Sequence, residues 1–106
     1  MSEFQNKAVR LAAASTGTAS ITDPRECQKR FLAAALELNG ALEQTSEQRN
    51  SSSEIAGSPR RIDLIIGDLM KELAIVGHLF DIDIMQAGHN TLDRRLSEIK
   101  SALIRQ

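Results

Sequence analysis

Aromatic residues are nearly missing from this chain of 106 residues: Phe4, Phe31 and Phe80 are all it has, with no Trp and no Tyr. A core left to Ala, Leu and Ile suits packed helices better than a sheet, where β-branched and aromatic side chains dominate. Cysteine is limited to Cys27, which excludes an internal disulfide and makes a reducing, cytoplasmic setting the expectation. Charge of one sign is missing too. The net charge is −1, with six basic and seven acidic groups in residues 1–57 and seven of each in 58–106. No broad field exists to draw in nucleic acid or anionic lipid. No run approaches the roughly 20 apolar residues that cross a bilayer, because Asp68, Lys71, Glu72, Asp81 and Asp83 interrupt the best one. Glu3 and Asn6 stand where a secretory signal needs a basic start, and no apolar stretch follows.

What is present is amphipathic helix. The length allows one domain with a modest core, and 42% hydrophobic with 25% charged residues is the balance of a folded globular chain. The stretch Pro59 to Ala87 reads as one long helix. Ile62, Ile65, Ile66, Leu69, Leu73, Val76, Phe80 and Ile84 form its core stripe, and Leu64, Ile75, Leu79 and Ile82 form a second, narrower one. One stripe docks a helix on its own core. A second predicts either burial against another protein or a broad buried face that contacts both other main helices within the chain. Ser58-Pro59 supplies a cap and a first-turn proline for this helix, Gly67 and Gly77 mark close approach or a break, and Gly88 is placed to end it.

Three further helices complete the prediction. Ser2 caps a short one bearing Phe4, Ala8, Leu11 and Ala12, which should end near Ala14 where Ser15 to Ser20 offers competing side-chain bonds and a glycine. Residues 1–22 are thus expected to be a short mobile helix on a Ser/Thr-rich arm, with Phe4 and Leu11 available to a partner. Residues 23–106 are expected to be the helical domain, with helices at about 23–47, 59–87 and 91–105. Asp23, Pro24 and Glu26 make a capping box for the second helix, whose core stripe holds Cys27, Phe31, Ala34, Leu38 and Leu42, with Gly40 a weak point. Polar residues 48–58 read as a loop. Asn90 restarts the last helix, whose narrow stripe is Leu92, Leu96, Ile99 and Leu103. The predicted fold is all-α: three main helices in an antiparallel bundle or hairpin, plus the short N-terminal one.

No constellation of residues names a reaction. His78 and His89 share a face of a continuous helix but lie about 16 Å apart along it at 1.5 Å per residue, too far for one metal ion, and a spaced Cys/His ligand pattern is lacking. Cys27 lies near Arg25, Lys29 and Arg30 in a first turn. It also falls on the apolar stripe with Phe31, and packing is the simpler role. Phosphate loops and hydrolase or zinc-protease motifs are not found. The Arg60-Arg61 and Arg94-Arg95 pairs have no aromatic neighbour for stacking on nucleic acid. The expectation is a protein that is not an enzyme, with no catalytic residue, metal or cofactor.

Ile75, Leu79 and Ile82, spaced i, i+4, i+7, are the anchors of a helix-in-groove or helix–helix contact. With its length, its long helix with spare apolar surface and its polar loop, the chain resembles the small helical bacterial anti-activators of quorum sensing. That resemblance implies a homodimer that binds a transcriptional regulator and occludes the regulator's dimerisation face. The other class in play is a secretion-type chaperone or adaptor that binds a helical substrate.

Overall fold

The computed structural model describes residues 2–50 and 61–104. Among these, the chain forms five helices and no strand: α1 (Glu3–Thr16), α2 (Ala19–Thr22), α3 (Pro24–Asn50), α4 (Ile62–Leu79) and α5 (Ile84–Ile104). The all-α class holds. The expected Ser58-Pro59 start and most of the polar loop lie outside the described residues.

The N-terminal helix differs from its expected role as a loose arm. Ser2 caps it, its Oγ accepting from Gln5 N at 3.2 Å. It runs to Thr16 rather than Ala14, because the hydroxyls bond back along the helix instead of competing with it. Ser15 Oγ donates to Leu11 O, and Thr16 Oγ1 to Ala12 O, both at 2.7 Å. Gly17, at φ +85°, turns the chain into α2. The face that α1 buries is Gln5, Ala8 and Ala12, so Phe4 and Leu11 stay exposed.

Asp23 opens α3 as expected, Oδ1 accepting from Arg25 N at 3.0 Å. The helix continues through Gly40 to Asn50. α4 is the hub, with α1, α2 and α3 all packed on it. Their meeting point is small: Ala12, Cys27 and Ile75 are buried together, with Ile21, Val76 and Leu79 packed around them. Among the described residues, five of the eight buried apolar ones are alanines, small side chains that let the helices approach closely.

The long helix expected over residues 59–87 is two helices. α4 stops at Leu79, a short elbow follows, and α5 continues through both Gly88 and Asn90. Gly88 therefore does not end a helix and Asn90 does not start one. Asn90 Oδ1 instead accepts from Gln86 Nε2 at 2.9 Å within α5. The start of α5 is Asp83, whose Oδ1 accepts from Met85 N at 3.1 Å and Gln86 N at 3.2 Å, satisfying donors that a helix N-terminus leaves open.

Candidate functional site

The elbow is built from residues that an ordinary helix interior would not require. At the end of α4 the N–H of Ile82 donates to Gly77 O at 2.8 Å and that of Asp81 to His78 O at 3.2 Å. This pair of bonds is a Schellman cap, with Asp81 in the left-handed position at φ +56°. Asp is one of the few residues other than Gly that visits this region readily. Gly77 is buried because the chain folds back over it. A Cβ there would overlap Ile84 Cγ2 and come within 2.7 Å of Gln5 Nε2 and 2.9 Å of Ile82 O.

Gln5 locks the arrangement from α1. It is fully buried. Its Nε2 donates to Ala74 O at 3.2 Å and to Ile82 O at 2.8 Å, while its Oε1 accepts from Ile84 N at 3.2 Å. One side chain thus spans the last turns of α4, the elbow and the first turn of α5. Apolar periodicity does not reveal it. The available signal is the spacing of Gln5, Ala8 and Ala12 at i, i+3, i+7, a small-residue stripe whose first member is polar.

Beside the elbow, Pro24, Cys27, Gln28 and Phe31 of α3 and Val76, Leu79 and Phe80 line a groove of about 240 Å³. Phe80 is 65% exposed and Ile82 48%. Phe80, expected in the core, lies just past the end of α4, where the elbow swings it off the stripe. A second groove, of about 290 Å³, runs between α1 and α4, with Phe4, Ala8 and Leu11 on one side and Gly67, Asp68 and Lys71 on the other.

The expected stripes are redistributed. Of the second stripe, Ile75 is buried at the four-helix junction, Leu79 is half-buried, and Leu64 and Ile82 are exposed. They do not form one surface, because docking of α1 and α2 takes up the middle of it. Of the expected core of α4, Ile65 is buried and Leu69, Val76 and Ile84 are half-buried, whereas Ile62, Ile66 and Leu73 are largely exposed. On α3, Phe31 and Leu38 are half-buried and Leu42 is exposed. The stripe of α5 is not in the core at all: Leu92, Leu96, Ile99 and Leu103 are 60–68% exposed, and α5 buries no residue.

Burial pushes the Cys27 thiol up from its ordinary range, Glu72 and Asp23 push it the same way, and Arg30 opposes them. Sγ donates to Ser20 O at 3.3 Å. This is a packed thiol held in its protonated form, the reverse of an activated nucleophile. Glu72, buried on α4, pairs with Lys71 at 3.5 Å. Among the described residues no group of three or more His, Cys, Asp or Glu is placed to hold a metal ion, and no helix is long and apolar enough to cross a membrane. No family model matches the chain, and neither a curated protein nor a solved structure matches it.

Proposed function

We propose that this chain is a small regulatory protein that acts by protein–protein contact. As a homodimer, it holds a transcriptional regulator against apolar helix surface and masks the regulator's dimerisation or binding face, in the manner of an anti-activator. The observation that supports this reading is the groove beside the elbow: an apolar lining of Cys27, Phe31, Val76 and Leu79, with Phe80 beside it 65% exposed. A large aromatic anchor at the edge of an apolar groove is the kind of feature that dominates the energetics of protein interfaces.

The test compares the tagged wild-type chain with Phe80→Asp in its native cells. Phe80 is exposed, so the substitution leaves the fold intact, which circular dichroism checks. The wild type is expected to retain a DNA-binding regulator that the variant releases, and a reporter at that regulator's promoter is expected to rise with the variant. Identical eluates would sink the assignment of the groove. A helical secreted substrate in place of a regulator would return the chaperone reading.

A further inference from the structure

We propose that α5 pairs with α5 of a second copy, antiparallel, in the one register that sets Leu96 against Ile99 and Leu92 against Leu103. The proposal deepens the homodimer reading and assigns it a surface separate from the groove at the elbow.

The starting point is a helix of 21 residues, none of them buried. Leu92, Leu96, Ile99 and Leu103 alternate steps of four and three, which is the a/d spacing of a coiled-coil seam. All four are at least 60% exposed. An isolated helix of this length is marginal in water, and helices of folded proteins are held mainly by packing of an apolar face. Among the described residues, the seam of α5 finds no such packing.

The occupant is read from the flanking charges. With Leu92 and Ile99 at d and Leu96 and Leu103 at a, the e positions are Asp93 and Lys100 and the central g position is Arg95. In coiled coils the e and g charges choose orientation and register. A parallel pair in register brings Arg95 of each helix against Lys100 of the other, two repulsive contacts. An antiparallel pair brings e against e. With Leu96 opposite Ile99, Asp93 of each helix meets Lys100 of the other, giving two attractive contacts, while Arg95 faces Ala102. A slip of one heptad in either direction sets Asp93 against Asp93 or Lys100 against Lys100. Of these arrangements, one is therefore free of like-charge contact on the e side, and in it Leu96 meets Ile99 and Leu92 meets Leu103.

The test is sedimentation equilibrium of the full-length chain and its variants. All substituted positions are exposed, so helicity by circular dichroism should not change. The wild type is expected to dimerise. Asp93→Lys and Lys100→Glu alone should each weaken the dimer about tenfold, since two attractive contacts become repulsive, and the two together should restore it to within about threefold of the wild type. Lys100→Glu is the sharpest discriminator, because in a parallel dimer it would set a carboxylate against Arg95 and tighten association. Tightening by that variant would overturn the proposal, as would a wild type monomeric at ~100 µM or single variants with an unchanged constant. A monomeric wild type whose Phe80→Asp variant still loses its regulator would remove the self-pairing and leave the groove reading in place.

Discussion

Gln5 is where one substituted atom has the largest structural consequence. Gln5→Glu keeps the volume and replaces the amide donor with a second oxygen facing Ala74 O and Ile82 O, 3.2 and 2.8 Å from the present nitrogen. A buried polar group left without a partner costs about 1–3 kcal/mol, and more when charged. The variant is therefore expected to lose about 2–4 kcal/mol at neutral pH. Burial is expected to raise the carboxyl's folded-state pKa, so the part of the penalty due to charge is absent below the ordinary carboxyl value of about 4.3 and grows as pH rises above it, while the acid's single O–H leaves one of the two carbonyls without a donor at any pH. Thermal unfolding of the wild type and Gln5→Glu at pH 7 and near pH 4 checks this: the gap should narrow on acidification. A gap of similar size at both pH values would mean that the buried charge does not cause it. At this scale the sequence is only partly legible. Cys27 is readable as a packed thiol from its place on a stripe, because burial of a small apolar group leaves a periodic trace. Gln5 makes three bonds to backbone atoms about 70–80 residues away in sequence, and no local pattern records them.

At the scale of elements, helix identity is legible and helix limits are not. Alternation of apolar residues at steps of three and four continues from Ile62 through Phe80 and Ile84 to Ala87, so periodicity alone cannot show that the backbone bends at residues 80–83. The sequence does carry a start signal there, since Asp83 with Gln86 three residues later is the spacing of a capping box. Gly88 draws attention away from it. The structure gives Gly88 a helical backbone with nothing within 4 Å of where a Cβ would stand. Gly88→Ala is thus expected to stabilise α5 by about 0.8–1 kcal/mol, visible as increased helicity and a higher Tm. Were Gly88 a left-handed helix terminator, the same change would destabilise. The two outcomes have opposite sign. Gly77 is the counterexample within the same stretch, a glycine held by a close approach rather than by its backbone angle.

The whole molecule is more open than its length requires. A compact chain of this size has a radius of gyration near 13 Å, whereas this one measures 17.9 Å, with extents of 49 × 49 × 23 Å. α5 is the element outside the shared core, meeting the remainder mainly at the elbow. The three-helix bundle or hairpin expected from the sequence assumes that the stripe of the last helix closes within the chain. That assumption fails for Leu92, Leu96, Ile99 and Leu103, because a stripe records that a surface is covered and not by what. Amide hydrogen exchange gives the corresponding prediction. At ~1 µM the amides of α5 are expected to exchange far faster than those of α4, and at ~100 µM their protection should rise while that of α4 stays level. Equal protection of α5 at both concentrations would show that the helix needs no second chain to hold it.

The lock between Gln5 and Ile84 joins positions 79 residues apart, and this fixes an order of events. Helices form on timescales near a microsecond from contacts inside each segment, so α4 and α5 can each wind before the bend between them is set. The Gln5 bonds that lock the bend must wait for a loop of up to 79 residues to close, and non-local closure of this kind slows folding. During synthesis α1 is made before α4 and α5, yet Gln5 completes its three bonds only once the start of α5 has emerged. The angle at which α5 leaves the molecule is therefore settled late, by a helix made well before it.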